Sequence, residues 1–546
     1  MINSSDVQTA IVADGAVPDN KTRRYDRQLR LWATSGQAAI EQARILVLSS
    51  SATSTSILKN LVLPGISHFT ILDHSLVTPE DAGNNFFLEG PESIGKYRAQ
   101  EAVRLLAELN EEVEGRADTR NFREFLLNGE NNGVREWLSG YTIVIVHNLD
   151  KDLLETLSNI LWHDDSFPPL VVVRSAGFLA DFSIQFHEHT VIESHIETSP
   201  SLRIDNAFPA LKEYALSLDL DNMDITDHGH IPYVVLLVRA LEDWKKEHNN
   251  LQPKTYAEKQ SFKSLVSSMK RKLDEENFEE AESQAYRCWT SSSVPSEIVS
   301  LFSDSRLSAP SASLPAFASF ASLPPFFQLL KALQIFTERN GYLPLTSTLP
   351  DMRSSTEEYV RLQNLYKRRA EEEKAEVKNI LIDELGGKVD DSMLDDFVKN
   401  THRLKVLKGR KWGAFVHSNG GQLIASALET SPKQAATHLG LSALEDVLFK
   451  KGYSSLHGKA PAPQITIEEL TEAAKATLPP GVTLPETEWN EVAGELMRAP
   501  TADLPNTAAL LGGLVAQEVI KMITKQYVPV DGCCVVDLIE TWTGII

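Results

Sequence analysis

Four short apolar segments near the beginning of the chain constrain its fold more than any other feature. They cover residues 45–48, 68–72, 142–146 and 170–173, and residues 57–63 and 97–109 between them carry apolar side chains at helical spacing. Strands that are apolar throughout are typical of a sheet covered on both faces, and strands that alternate with helices indicate parallel pairing. The sequence therefore predicts an α/β fold of the Rossmann type here.

The pattern changes near residue 185. Residues 182–196 alternate like exposed β structure, and long charged helical segments such as residues 357–384 follow. Residues 508–523 again predict an apolar helix, in which Gly512 and Gly513 indicate close packing because each glycine costs a helix about 1 kcal/mol. Asp531 and Gly532 predict the turn of a hairpin between residues 527–530 and 533–536. We therefore predict a mobile tail over residues 1–24, a Rossmann-like domain over 25–185, a mainly helical insertion over 186–497 and a return to the first domain over 498–546.

Composition excludes several classes of protein. The 53 Lys and Arg residues against 75 Asp and Glu residues give a net charge of −22, which argues against nucleic-acid binding and suits either a basic partner or simple solubility. We find no apolar run of the ~18 to 20 residues that a membrane helix needs and no signal peptide. Only Cys288, Cys533 and Cys534 are present, without a disulfide framework or a CxxC zinc motif. We expect a cytoplasmic or nuclear protein with no membrane partner and no bound metal.

The turn after the first strand lacks the glycines of a nucleotide-binding loop. Ser49, Ser51 and Ser54 occupy the three positions that glycine has in a G-x-G-x-x-G sequence. A β-carbon at each position crowds the path of a phosphate and disfavours positive φ angles. The sequence therefore predicts a Rossmann core kept for its shape. An autonomous enzyme that uses NAD or ATP is the alternative, and nucleotide protection against thermal unfolding would favour it.

A series of motifs extends from residue 25 almost to the end of the chain. Residues 25–32, with the sequence YDRQLRLW, precede the βαβ unit as in ubiquitin-activating and related enzymes, and residues 57–61 and 71–73 match the first helix and second strand of that family. Further matches occur in order at residues 81–87, 208–209, 224–232, 274–278, 349–352, 359–366 and 511–526. The chain thus resembles the regulatory subunits of neddylation-activating enzymes, which belong to the ubiquitin-activating enzyme family. The match is weakest over residues 388–495.

The resemblance implies a ThiF/MoeB-type adenylation domain that is inactive. Active domains carry a strand-end Asp, a second Asp two residues later, an Asn-Arg pair, a Lys and a late Asp. This chain keeps the first as Asp73, and the other positions hold Ser75, Gly83–Asn84, Arg98 and Asn148. Because adenylation needs cations on the triphosphate and carboxylates around Mg²⁺, we expect no cofactor in this chain and no catalysis by it alone.

The resemblance also implies partners and one active-site residue. The partners are a catalytic subunit that binds ATP and Mg²⁺, the ubiquitin-like modifier, and a conjugating enzyme that receives the modifier through the complex. Arg27 matches the arginine that reaches into the partner's ATP site, and its guanidinium suits phosphate oxygens. The alternatives are a salt bridge from Arg27 to Asp26, with Arg30 as a competing candidate, and a pure scaffold without any active-site role. A subunit for the sumoylation-type modifier is disfavoured because those chains are much shorter.

Other chemically interesting residues have structural explanations. Cys288 has no evident general base nearby and reads as a packed thiol. Cys533 and Cys534 fall in a predicted strand, where alternation points one of them inward. His187 and His189 would share a strand face, and together with His195 they raise the alternative of a metal site, although solvated or hydrogen-bonded histidines are far more common.

Overall fold

The computed structural model of the chain describes residues 19–128, 131–195, 201–308, 320–454 and 462–546. Contacts divide the chain into two compact units, one formed by Met1–Val191 with Val406–Ile546 and the other by Ile192–Lys405. The predicted tail lies outside the described residues as far as residue 18. Its predicted end at residue 24 is wrong, because a helix begins at Asn20 and the side chain of Asp19 caps it by accepting a hydrogen bond from the Thr22 amide.

The first unit is built on an eight-stranded sheet with the order β10-β9-β6-β5-β4-β1-β2-β3. The strands are β1 (Arg44–Leu48), β2 (His68–Leu72), β3 (Glu114–Asp118), β4 (Ile143–His147), β5 (Leu170–Ala176), β6 (Leu179–Gln185), β9 (Cys533–Asp537) and β10 (Trp542–Ile545), while β7 (Glu188–Val191) and β8 (Lys405–Lys408) form a separate pair. Strands β1 to β5 pair in parallel, and β6, β9 and β10 pair antiparallel. The Rossmann-type prediction is confirmed.

Helices account for most of the remaining described structure. Before β7 they are α1 (Asn20–Gln42), α2 (Ala52–Val62), α3 (Pro79–Asn84), α4 (Arg98–Ala107), α5 (Phe122–Asn128), α6 (Asn131–Ser139) and α7 (Lys151–Leu161). The second unit contains α8 (Pro209–Ser217), α9 (Ile225–His228), α10 (Tyr233–Glu247), α11 (Tyr256–Ser268), α12 (Glu276–Gln284), α13 (Ser296–Leu301), α14 (Pro325–Asn340), α15 (Thr356–Asn379) and α16 (Asp391–Lys399). After β8 come α17 (Ala414–His417), α18 (Gln422–Thr430), α19 (Pro432–Lys450), α20 (Ile467–Thr477), α21 (Glu486–Arg498) and α22 (Pro505–Thr524).

Both faces of the sheet are covered, which explains why its central strands are mainly apolar. Ile45 and Val47 of β1 belong to a core cluster with α2 and α22, whereas Leu46 and Leu48 belong to a second cluster with α7. Successive side chains of a strand point to opposite faces, so a strand between two helical layers needs apolar residues at every position. Helix α22 is the one described helix that is long and apolar enough to cross a membrane, and its packing in the first cluster accounts for that composition.

Residues 406–497 belong to the first unit, although the sequence analysis assigned them to the insertion. Ala176 and Leu179, at the junction of β5 and β6, share a buried cluster with Leu439 of α19 and Leu496 of α21. The helical insertion therefore spans Ile192–Lys405 in the structure, rather than residues 186–497. Apolar helix periodicity shows that these helices pack, but it does not show what they pack against.

Two further predictions about strands are wrong. Residues 182–185 were expected in exposed β structure, but β6 pairs with β5 on one side and β9 on the other, and Phe182 and Ile184 are buried. The C-terminal hairpin forms between β9 and β10, and residues 527–530 are not a strand. Asp531 and Gly532 therefore lead into the hairpin instead of turning it.

The second unit has a helical core of its own around α10 and α15. Val235, Leu237, Phe278 and Tyr366 are buried in it. Arg203 and Glu373 form a buried bidentate ion pair with N–O distances of 2.6 and 2.7 Å. Removing Arg203 leaves the buried Glu373 with Arg369, 2.8 Å away, as its remaining cation, so the loss of Arg203 weakens this unit.

Candidate functional site

The degenerate phosphate loop connects β1 to α2 where the order of the parallel strands reverses. Strand β1 lies between β2 and β4, and open α/β sheets bind ligands beside the strand ends at such a reversal. Ser49 adopts a φ of +95°, a conformation that glycine reaches without strain and other residues rarely adopt. The loop therefore keeps the backbone path of a glycine-rich loop although serine has replaced the glycine.

Two amide donors in the first turn of α2, those of Thr53 and Ser54, are occupied by groups of the protein itself. Ser51 is the N-cap residue, and its Oγ accepts a hydrogen bond from the Ser54 amide at 3.1 Å. The carboxylate of Asp503 accepts from the Thr53 amide at 3.2 Å and from the Thr53 hydroxyl at 2.7 Å. Such amides are the groups that bind phosphate in nucleotide-binding Rossmann proteins. The contacts of Asp503 with Thr53 therefore add a second obstacle to phosphate binding, which the sequence of the serine loop does not reveal.

His147, the last residue of β4, completes the contacts of this loop. Its Nδ1 lies 2.8 Å from Ser51 Oγ, and its Nε2 lies 2.8 Å from Ser175 Oγ. Burial lowers the pKa of His147 below its usual value, so the ring is neutral at pH 7. The sequence analysis missed this residue, although a single histidine directly after an apolar strand was a signal available for finding it.

Asp73 and Arg98 form a buried ion pair beneath the loop. The Asp73 carboxylate accepts the amides of Ser50 and Ser75, both at 2.8 Å, and lies 2.8 Å from the Arg98 guanidinium. Arg98 also reaches Asp81 at 3.1 Å. Burial opposes the charge of Arg98, but Asp73 and Asp81 together raise its pKa above the ordinary value. Asp73 thus acts as a turn residue at the end of its strand, and Arg98 is neutralised within the chain.

The remaining degenerate positions offer no Mg²⁺ ligands of the kind that adenylation uses. Ser75 contributes its backbone amide to Asp73. Asn84 borders the cavity described below with an amide side chain. Asn148 exchanges two hydrogen bonds with the Ser175 backbone, at 2.8 and 2.9 Å, so its amide group is also occupied.

A cavity of about 360 Å³ adjoins the loop and corresponds to the place of a nucleotide in this fold. Its two cations are already paired, Arg98 with Asp73 and Asp81, and Arg498 with Glu495 at 2.6 Å. Its carboxylates belong to Glu80, Asp81 and Asp503, and they repel a triphosphate. The residues present therefore do not fit Mg·ATP.

Arg27 lies on α1, away from these internal networks, and its side chain is exposed. Within the described residues, no hydrogen bond or ion pair holds its guanidinium. The salt bridge considered for Arg27 belongs instead to Arg30, whose guanidinium lies 3.1 Å from Asp26. The structure thus leaves Arg27 available to an outside anion and engages Arg30.

The histidine and cysteine candidates have structural roles. His187 stacks on Trp162 with ring centroids 3.8 Å apart, and burial lowers the pKa of His189 to about 4. The three cysteines are free thiols. Burial raises the pKa of Cys288 and Cys533, which keeps both protonated and unreactive at neutral pH.

One group in the described part of the chain has the spacing of metal ligands. Ligand atoms of Asp181, His438 and Cys533 lie within 4.8 Å of one another. The guanidinium of Arg174 lies 2.6 Å from Asp181 and 3.1 Å from His438. Because this buried cation already neutralises the carboxylate and would repel a metal ion, the group is explained as an ion-pair network.

Comparisons with known proteins identify the family of the chain. The model of the ThiF family matches residues 25–160. The NEDD8-activating enzyme E1 regulatory subunit of Xenopus laevis is 35% identical over 93% of this chain and 95% of its own length, and that of Gallus gallus is 34% identical over the same shares. The regulatory subunit AXL of Arabidopsis thaliana is 33% identical over 93% of this chain and 96% of its own length. The chain belongs to the family of NEDD8-activating enzyme E1 regulatory subunits.

Proposed function

We propose that this chain supports an adenylation reaction that takes place at the ATP site of a catalytic partner subunit. Membership in the regulatory-subunit family implies a heterodimer with such a subunit. The observation that carries this proposal is that, after β1, two amide donors at the start of α2 are used by Ser51 and Asp503. In this proposal ATP and Mg²⁺ bind to the partner, and this chain binds neither.

The complex would activate the ubiquitin-like modifier of the neddylation pathway, NEDD8 in the names of the relatives. The partner would adenylate the modifier, transfer it to a cysteine thiol and pass it to a conjugating enzyme. Supporting this division of labour, the three cysteines of this chain are buried, and none of them suits a thioester. Free cysteines also suit the reducing environment of the cytoplasm or nucleus.

Arg27 is the residue that we propose for a direct role in catalysis. It would enter the partner's ATP site and place two N–H donors on phosphate oxygens. The charge that develops on the departing pyrophosphate would be stabilised as it is by an arginine finger. Its exposure and its lack of a partner in the described part of the chain support this role.

ATP–pyrophosphate exchange by assembled heterodimers tests this role. We expect Arg27→Ala to lower the exchange rate by about 10³-fold or more, the range measured for arginine fingers. Arg30→Ala removes the same charge from the same helix and serves as the matched control. Exchange that is undiminished in Arg27→Ala would favour the pure scaffold, whereas exchange by the chain without its partner would favour an autonomous enzyme.

A further inference from the structure

Asp503 connects two parts of the chain that are 450 positions apart in sequence. It lies in the segment between α21 and α22, and its carboxylate is held by the amide and the hydroxyl of Thr53 in the first turn of α2. Both contacts have ordinary hydrogen-bond lengths, 3.2 and 2.7 Å. A negative group therefore occupies the positive end of the helix that follows the degenerate loop.

The chemistry of this place is that of a phosphate site. The beginning of a helix combines free amide donors with a positive partial charge, which together favour an anion. The backbone path that would bring a phosphate close persists at Ser49, with its φ of +95°. What differs from a nucleotide-binding loop is that the anion is supplied by the chain itself.

We propose that Asp503 is an intramolecular substitute for phosphate and closes the first turn of α2 to anions. The exclusion of nucleotides then has two separate parts. The side chains of the serine loop and the carboxylates of Glu80 and Asp81 exclude the nucleotide as a whole, whereas Asp503 excludes even a small anion from the helix terminus. The role proposed for Asp503 leads to a prediction that does not follow from the serine loop: removal of its carboxylate should let a small anion bind at the helix terminus.

Replacing Asp503 by alanine and by asparagine separates occupancy from charge. Both variants remove one negative charge. Asparagine keeps the shape, because its oxygen can accept from the Thr53 amide while its NH₂ group donates to the Thr53 hydroxyl. Alanine vacates the place and frees the amide.

The measurement is binding of inorganic pyrophosphate to the full chain by calorimetry, at constant ionic strength. We expect no saturable binding by the unmodified chain and saturable one-site binding by Asp503→Ala. The asparagine variant should bind at least about tenfold more weakly than the alanine variant, which corresponds to about 1.4 kcal/mol. Equal affinity of the two variants, or no binding by Asp503→Ala, would overturn the proposal.

Hydrogen exchange of residues 50–55 keeps the test decisive if the alanine variant is unstable. Pyrophosphate should slow exchange of this segment in Asp503→Ala and in the alternative variant Asp503→Ser, and it should leave the segment unchanged in Asp503→Asn. Circular dichroism establishes which variants are folded. If neither vacated variant shows protection, the proposal is wrong. The experiment uses the chain without its partner and leaves Arg27 intact, so its outcome is independent of the role proposed for that residue.

Discussion

Replacing Gly512 by alanine tests how α22 holds α2 in position. A β-carbon at residue 512 would lie 2.7 Å from Ser56 Cβ and 2.9 Å from the backbone carbonyl of Ser56, whereas a β-carbon at Gly513 would meet no atom within 4 Å. Because much of the obstacle at Gly512 is main chain, the helices must move apart. Sequence analysis predicted close packing for both glycines, and the structure confirms it for Gly512 only.

The two glycines form a matched pair for estimating the effect. Alanine favours a helix over glycine by about 0.8–1 kcal/mol at either position, so this contribution cancels in the comparison. Overpacking a tight contact costs about 1–3 kcal/mol. We therefore expect Gly513→Ala to be more stable than the parent and Gly512→Ala to fall about 1–3 kcal/mol below Gly513→Ala.

Urea unfolding followed by circular dichroism gives the order of the unfolding midpoints of the parent, Gly512→Ala and Gly513→Ala. Because two units need not unfold in one step, hydrogen exchange of residues 52–62 provides the local measurement. Exchange there should be faster in Gly512→Ala than in Gly513→Ala. Equal midpoints and equal exchange in the two variants would refute the packing argument.

Two further predictions concern buried charges. Arg203→Gln leaves the buried Glu373 with Arg369 as its remaining cation and should lower the stability of the second unit by about 1–3 kcal/mol, whereas the exposed control Arg368→Gln should change it by less than about 0.5 kcal/mol in thermal melts. Burial raises the pKa of Glu445 to about 7 from 4.5, so the folded chain retains this proton longer than the unfolded chain and loses stability as pH rises between those values. Glu445→Gln should therefore gain thermal stability over the parent progressively from pH 5 to pH 8, and a pH-independent difference would contradict this reasoning.

The central parallel strands were predictable because most of their residues are apolar, as the burial of both faces requires. Strands β1, β4 and β5 came from continuous apolar runs, and β2 came from a mainly apolar segment that includes His68 and Thr70. Strand β3 gave no such signal, since it lies at the edge of the sheet and reads Glu-Gly-Arg-Ala-Asp. A strand with one neighbour and an exposed face needs few apolar residues, so local sequence does not distinguish it from a loop.

Only those features of the site that depend on neighbouring residues in the sequence were predictable. Ser49, Ser51 and Ser54 could be compared with a glycine-rich loop because that comparison needs only six consecutive residues. The contact of Thr53 with Asp503 depends on how the chain returns to the sheet, and no local pattern contains that information. The end of the insertion was missed for a related reason, since α19 and α21 resemble the helices of the second unit in periodicity and differ only in what they contact.

The division of the first unit between the two ends of the chain governs the order of its synthesis. A ribosome releases β1 to β6 early, but β9, β10 and α22 emerge only after the whole second unit has been made. Until then β6 has an open edge and the face of α2 that receives Gly512 is bare, both of which invite aggregation. The nascent polypeptide therefore needs protection for several hundred residues of translation, and truncation before α22 leaves a six-stranded sheet without β9 and β10.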